Sequence, residues 1–266
     1  MSTDASQLAR RAADHLRQTL SVPHIDLALV LGSGWSAGAD GLGEPLGEVE
    51  LASVPGFSKP VVAGHGGRLI ALRTSTGKVA AVFTGRTHYY EGRGVEPVVH
   101  GVRTAAAWGA HTLVLTNGCG GLNPAWAPGN VVLIKDHINL TGDTPLRGAT
   151  FIDLSEAYSR RLRDAARSVD PTLPEGVYVQ FRGPQYETPA EVRMAGVLGG
   201  DLVGMSTTLE TIAAREADLE VLGLSLVTNA AAGTSDAHLD HAEVLQAGRD
   251  AGPRLARLLR GILDAL

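Results

Sequence analysis

The chain alternates between short apolar segments and longer segments in which apolar residues recur every three or four positions. The short segments are rich in β-branched residues, and several are apolar at consecutive positions, which is typical of strands covered on both faces. The longer segments have the periodicity of amphipathic helices. The predicted strands are Leu27 to Leu31, Val79 to Phe83, Thr112 to Thr116, Val131 to Ile134, Val177 to Phe181 and Val221 to Thr228. The predicted helices are Ser6 to Leu20, Glu96 to Trp108, Ser155 to Ser168, Pro189 to Leu198, Thr208 to Ala217 and His241 to Leu263.

This mixture of elements predicts an α/β fold with a central, largely buried sheet. The sequence contains no internal repeat, low-complexity segment or Pro/Ser-rich linker, so residues 1–266 are expected to form a single domain. Pro253 lies inside the last predicted helix and is expected to kink or split it.

Composition narrows the class of protein. With 44% hydrophobic and 19% charged residues the chain is typical of soluble globular proteins. Its formal net charge of -5 argues against a nucleic-acid partner, although a few local donors suffice for a small anion. Cys119 is the only cysteine, so no intramolecular disulfide is possible. The amphipathic N-terminus is unlike a signal peptide and no apolar run approaches a membrane span, which together predict a cytoplasmic protein.

The segment Gly85 to Gly92 is the richest in chemistry. It follows an apolar strand and places Arg86, His88 and Tyr90 two residues apart, so an extended backbone would direct all three to one face. Arginine presents a fork of donors that fits phosphate oxygens, and histidine transfers protons near neutral pH. A charged strand end that leads into a turn is the alternative interpretation of this segment alone.

Other predicted strands also end in polar, glycine-rich turns, each with a less specific alternative. The turn at Gly32 to Gly34 approximates a dinucleotide-binding fingerprint whose third glycine falls one residue late, and it is equally a tight strand-to-helix turn. Cys119 fits a buried thiol better than a nucleophile. The remaining candidates are His65, Gly118, Tyr186, Glu187, Met205, Ser206 and Asn229. Because ligand sites of α/β sheets gather at the carboxyl ends of strands, the recurrence favours an enzyme acting on a small molecule.

Taken in order, these motifs resemble those of the trimeric purine nucleoside phosphorylases. The matching runs are Leu31 to Gly34, Gly64 to Arg68, Gly85 to Gly92, Asp136 to Leu140, Gly183 to Thr188, Val203 to Thr207, and Thr228 with Asn229. The resemblance extends from about Leu27 to the C-terminus. It implies a central mixed, partly barrel-like sheet flanked by helices, a homotrimer, and a pentosyltransferase of purine salvage. The implied reaction is reversible phosphorolysis of purine nucleosides to free base and α-ribose 1-phosphate, without metal or organic cofactor.

The resemblance also implies a role for each matching residue. Those expected to bind phosphate are Ser33, His65, Arg86, His88, the Gly118 backbone and Ser206. Those expected to line the ribose are Tyr90, Met205 and His241, with His241 at the 5′-hydroxyl. Tyr186 is expected to pack on the base, while Glu187 and Asn229 hydrogen-bond its edge. Asn229, Glu187 and His88 are the catalytic candidates.

Asn229 and Glu187 bear on the choice between related activities. A methylthioadenosine phosphorylase, the nearest alternative, typically has Asp in place of Asn229, so the pair points to 6-oxopurines such as inosine and guanosine. A nucleoside hydrolase, a dinucleotide-dependent dehydrogenase and a non-catalytic nucleoside-binding module are further alternatives. The hydrolase would not need a phosphate site, and the dehydrogenase would need an acidic residue after a following strand, for which Glu48 and Glu50 are approximate matches.

The chain departs from the family pattern in three places. Gly118 and Cys119 stand where two alanines are common, which keeps a backbone donor. Thr208 and Leu209 replace a common Val-Pro pair. The segment after Pro145 to Gly148 is short, and Phe151 does not align securely with the Phe that a neighbouring subunit often contributes, so that contact is left open.

Overall fold

A computed structural model of the protein describes residues 3–39, 41–58, 67–234 and 241–266, with the side chains of 3, 37 and 241–245 outside the description. Its helices are α1 (Thr3–Leu20), α2 (Val95–Trp108), α3 (Arg160–Val169), α4 (Pro189–Val197), α5 (Thr208–Glu216) and α6 (His241–Ala265). Its strands are β1 (Leu27–Val30), β2 (Glu44–Glu50), β3 (Arg68–Arg73), β4 (Val79–Phe83), β5 (Thr112–Gly121), β6 (Val131–Asn139), β7 (Glu175–Gln180), β8 (Leu202–Gly204) and β9 (Glu220–Ala230).

Each predicted strand and helix is present, with differences that have local causes. Helix α3 begins later than predicted because Ser159 is its N-cap, with its hydroxyl accepting from Leu162 N at 3.4 Å. Pro253 lies within a continuous α6, so the expected split of that helix is wrong. Strands β2, β3 and β8 were not predicted. Strand β2 is largely polar and exposed, and β8 has only 3 residues.

The described strands form one mixed sheet in the order β2-β3-β4-β1-β5-β8-β7-β6-β9, and β9 also pairs with β5. This second pairing closes β5, β8, β7, β6 and β9 into a ring, while β2, β3, β4 and β1 extend from it as an open sheet. Strands β4, β1, β5 and β9 run parallel to their neighbours in that series. The expected partly barrel-like mixed sheet is therefore confirmed, and the carboxyl ends of these parallel strands meet on one side.

Helices cover the sheet on both faces. Helices α1, α2 and α5 pack on one face, where Ala28 and Val30 of β1 belong to the same buried cluster. Helices α3 and α6 pack on the other, with Leu27 and Leu29. Alternate residues of β1 thus enter opposite cores, which explains why the strand is apolar at every position. None of the helices in the described ranges has the length and apolar composition required to cross a bilayer.

Helix α6 approaches the turn after β1 through a contact between two glycines. Gly34 has a φ of 83°, which favours glycine, and a Cβ at Gly248 of α6 would lie 2.4 Å from Gly34 Cα. No side chain fits between these backbones, so the contact fixes how closely α6 can pack on the turn that carries Ser33.

We therefore expect Gly248→Ala to destabilise the protein by about 1–3 kcal/mol, because the overpacking outweighs the roughly 0.5–1 kcal/mol by which alanine favours a helix. The matched control is Gly196→Ala in α4, where the new Cβ would meet only Leu122 Cδ2, at 3.6 Å. That variant should gain stability. Urea denaturation of both variants tests the contact, and an equal gain in both would contradict it.

Candidate active site

One pocket lies where the carboxyl ends of β1, β5 and β9 meet the segments after β4, β7 and β8. It is lined by Ser33, Arg86, His88, Tyr90, Asn117, Gly118, Cys119, Gly120, Tyr186, Glu187, Val203, Gly204, Met205, Ser206, Thr228, Asn229, Ala231 and Ala232. All the predicted site residues except His65 and His241 therefore lie together in this pocket. His65 lies outside the described residues, and His241 begins α6 but its side chain is likewise outside.

Arg86, His88 and Tyr90 reach the pocket without a continuous extended backbone. Strand β4 ends at Phe83 and a 3₁₀ helix begins at Tyr89, so the condition for all three to share one strand face is not met. The tight turn instead stacks the rings of His88 and Tyr90, with centroids 4.7 Å apart and planes 13° from parallel. Burial raises the pKa of Tyr90 to about 12, so its phenol is protonated at neutral pH.

The Arg86 guanidinium is held in place by buried groups. Its Nε donates to Glu210 Oε1 at 3.1 Å, and its Nη1 donates to Thr116 O at 2.5 Å and lies 3.5 Å from Ser206 Oγ. A Cβ at Gly32 would lie 2.5 Å from Nη1, so only glycine lets the side chain pass the end of β1. A fixed cation is thus presented at the edge of the pocket, beside the Ser206 hydroxyl.

A bulge near the end of β9 places two consecutive side chains in the pocket. Cys119 pairs with Val227 and Gly120 pairs with Asn229, which leaves Thr228 as the extra residue. The Thr228 hydroxyl donates to Asn229 Oδ1 at 2.9 Å, and Asn229 Nδ2 donates to Ala230 O at 2.9 Å. Since an amide has two N–H donors and two acceptor sites on its oxygen, these bonds orient Asn229 and leave capacity for a ligand.

Glu187 presents a buried carboxylate to the same pocket. It is 8% exposed, and its Oε1 has no hydrogen-bond partner among the described residues. Burial raises the pKa of this carboxyl above its ordinary value. The capping box between Thr188 and Glu191 begins α4 immediately after Glu187, which fixes the backbone there. An unsatisfied buried acceptor of this kind is suited to a ligand that donates an N–H or O–H group.

Two alternative interpretations of the turns are not supported. Burial raises the pKa of the Cys119 thiol, and the sulfur lies 3.4 Å from Leu226 O, so Cys119 is a packed thiol and not an activated nucleophile. Strand β1 is followed by a 3₁₀ helix over Ser36–Ala39 and then by β2, and not by the α-helix on which a dinucleotide-binding turn depends.

Sequence reasoning missed the apolar wall of the pocket and the support behind it. Ala231 and Ala232 come two and three residues after Asn229, but small apolar residues carry no chemical signal. The local sequence does not single out Glu210, which binds Arg86 from 124 residues away in the chain. The pocket therefore combines a cation with hydroxyl and backbone donors, an aromatic ring that is 37% exposed at Tyr186, and an amide and a carboxylate.

Comparisons with known proteins identify relatives of this chain in both sequence and fold. A family model described as the phosphorylase superfamily matches residues 26–264. A purine nucleoside phosphorylase from Cellulomonas sp is 62% identical over 265 residues, which cover 98% of this chain and 94% of that protein. The crystal structure of Schistosoma mansoni purine nucleoside phosphorylase in complex with inosine has a TM-score of 0.89 at 32% identity, with 98% of this chain and 96% of that chain covered. A crystal structure of Schistosoma mansoni purine nucleoside phosphorylase in complex with adenosine gives a TM-score of 0.88 at 33% identity, with 97% of this chain and 96% of that chain covered.

The raised pKa of Glu187 predicts a stability change with a definite dependence on pH. The folded state binds the Glu187 proton more tightly than the unfolded state does, so ionisation destabilises the fold as pH rises from the ordinary glutamate pKa through the raised one. Glu187→Gln removes that cost and should stabilise the protein by about 1 kcal/mol at pH 7.

The gain should disappear below the ordinary glutamate pKa, where the wild-type carboxyl is protonated in both states. Thermal unfolding at the two pH values measures it, with Glu44→Gln at the exposed Glu44 as control. The control should change stability by less than about 0.5 kcal/mol at either pH. Equal effects of the two substitutions at pH 7 would show that Glu187 carries no buried charge.

Proposed function

Because the chain belongs to the phosphorylase superfamily, and within it to the purine nucleoside phosphorylases, we propose that it catalyses the reversible phosphorolysis of 6-oxopurine nucleosides. Inosine, guanosine and their 2′-deoxy forms plus inorganic phosphate give the free purine and α-(deoxy)ribose 1-phosphate. The observation that carries the choice of substrate is the pairing, in one pocket, of a fixed guanidinium with a buried carboxylate oxygen that has no partner among the described residues.

Phosphate occupies the end of the pocket at Arg86. The guanidinium supplies charge-assisted hydrogen bonds, and the hydroxyls of Ser33 and Ser206, the ring of His88 and the Gly118 backbone complete the donors. His65 is assigned to the same anion by resemblance alone. An anion held by fixed donors is already oriented for attack, which removes part of the entropic barrier.

The purine occupies the opposite end, against Tyr186. Glu187 accepts a hydrogen bond from the N1–H of a 6-oxopurine, which satisfies its orphaned oxygen. A 6-aminopurine has a bare N1 acceptor at that position and would face the carboxylate without a proton between them. Asn229 binds N7 and O6 through its amide, whose donor and acceptor capacity is oriented by Thr228 and Ala230.

The ribose lies between these ends, beside Tyr90 and Met205. His241 is assigned to the 5′-hydroxyl by resemblance. As the bond from C1′ to the purine breaks, its electron pair moves to the base and the sugar acquires oxocarbenium character. The base takes up the proton that hydrogen phosphate loses on forming the sugar ester, so the reaction balances. Asn229 stabilises the departing base, and a phosphate oxygen forms the new bond to C1′.

We extend the proposal to a homotrimer that acts in the cytoplasm without a metal or organic cofactor, as the family resemblance implies. Phosphate is then a co-substrate, and the positive charge for binding it comes from this chain's own residues.

The reaction is tested by incubating the pure protein with inosine, with and without inorganic phosphate, and with adenosine in parallel. Hypoxanthine release should require phosphate, and adenosine should be cleaved far more slowly because it lacks the N1–H that Glu187 accepts. Liquid chromatography of the bases provides the measurement. Release without phosphate would identify a hydrolase, and a preference for adenosine would overturn the role of Glu187.

Asn229→Ala should lower kcat by about 10²–10³, because it removes a preorganised group that stabilises the leaving base. Asn130→Ala, at a turn outside the pocket, is the matched control and should retain wild-type turnover. Steady-state kinetics with inosine at saturating phosphate distinguish the two. Near-normal kcat in the Asn229 variant would exclude it from catalysis.

A further inference from the structure

Glu210 is a buried carboxylate behind the anion end of the pocket. Its side chain is 2% exposed and its Arg86 partner is 3% exposed. A buried negative charge so near a phosphate site is unfavourable for anion binding, because it weakens the attraction between the cation and the anion. Its presence at this position therefore needs an explanation. The inference that follows rests on the proposed phosphorolysis.

The two oxygens of Glu210 bind two different parts of that site. Oε1 accepts from Arg86 Nε at 3.1 Å, and Oε2 accepts from the backbone N–H of Thr207 at 2.9 Å. The first contact fixes the orientation of the guanidinium. The second fixes the backbone immediately after Ser206, whose hydroxyl lies 3.5 Å from Arg86 Nη1.

The backbone at Thr207 needs such support. Thr207 has a φ of 79° and a ψ of -49°, and Thr208 N donates to Ser206 O at 2.9 Å. This is a γ-turn with positive φ, a rare and strained conformation for a residue with a β-branched side chain. Asn117 Nδ2 holds the Thr207 hydroxyl at 2.9 Å, and Glu210 holds its N–H.

Glu210 acts from behind the site and not within it. Arg86 lines both the candidate active site and a second, largely apolar cavity that contains Phe57 and Phe83, whereas Glu210 lines only the second cavity. The guanidinium therefore lies between the carboxylate and the pocket, and its Nη1 is on the side of Ser206.

We propose that Glu210 is the positioning residue of the phosphate site: its one carboxylate binds Arg86 and the Thr207 N–H, and thereby sets the spacing of Arg86 and Ser206. The fixed positions of these donors compensate for the unfavourable charge of Glu210 near the anion, because two preorganised donors bind phosphate better than two mobile ones.

Glu210→Gln separates this role from simple packing. Glutamine has nearly the same shape but a single acceptor oxygen, so its NH₂ group must face either Arg86 Nε–H or Thr207 N–H, both of which are donors. One of the two contacts is lost whichever way the amide turns. Groups that orient a binding residue typically contribute about 10–100-fold to affinity or activity at metal sites, and we expect an effect of about tenfold here.

The matched control is Glu216→Gln in the same helix. Glu216 is also a buried carboxylate paired with an arginine, Arg103, at 3.1 Å, but it does not line the pocket. The two variants receive the same chemical change in the same kind of pair, so a general loss of helix stability affects both. Phosphate and inosine KM, kcat, and phosphate binding by calorimetry are measured for each.

We expect Glu210→Gln to raise the phosphate KM and the phosphate Kd about tenfold, with the inosine KM changed less than about threefold. Glu216→Gln should leave the phosphate constants unchanged. Glu210→Asp retains the charge on a shorter side chain and should lie between the wild type and Glu210→Gln. If Glu210→Gln does not fold, Glu210→Asp compared with Glu216→Asp decides the question in the same way.

The outcomes separate the two proposals. If the wild type does not cleave inosine in a phosphate-dependent reaction, the proposed function fails. If the wild type is active but the Glu210 variants bind phosphate as the wild type does, or if they weaken inosine and phosphate equally, Glu210 has no positioning role.

Discussion

The second pairing of β9 is the constraint on which the rest of the architecture depends. Because β9 pairs with β6 on one side and β5 on the other, the strands between them close into a ring. The closure brings the end of β9, the glycine-rich end of β5 and the segment after β8 to one place. It also removes the free edges that these strands would otherwise expose. The pocket is thus a consequence of how the sheet closes, and the open extension of β1 and β4 adds the remaining wall.

The site then depends on local departures from regular structure. The bulge at Thr228 interrupts the β5–β9 ladder so that Thr228 and Asn229 both face the pocket. The γ-turn at Thr207 is strained, and it lies beside a serine that faces the same pocket. Such costs are tolerated where surrounding hydrogen bonds determine the conformation, and here Asn117 and Glu210 provide them. The regular strands make the site rigid, and the irregular residues orient its side chains towards the pocket.

Much of this architecture was predictable from the sequence, for reasons visible in particular residues. The core strands are apolar at every position, as in Leu27–Val30, and their pattern predicted both the strands and their burial. Strand β2 escaped prediction because it is polar and exposed, and β8 because it is too short for periodicity. The candidate residues were found through motifs, and the pocket unites those that the structure describes. The bulge, the γ-turn and the contact of Glu210 with Arg86 depend on distant parts of the chain, so no local pattern could reveal them.

The two buried glutamates near the pocket illustrate how partners distinguish roles that residue type cannot. Both Glu187 and Glu210 are less than a tenth exposed. The two carboxylate oxygens of Glu210 are satisfied by Arg86 and Thr207, so it can contribute only to the positions of the groups that it binds. Glu187 retains an oxygen without a partner among the described residues, and this unmet demand is what a donor on a ligand would satisfy. A buried carboxylate that stays unpaired at the expense of stability therefore indicates a role in ligand binding, whereas a fully paired one indicates a role in positioning other groups.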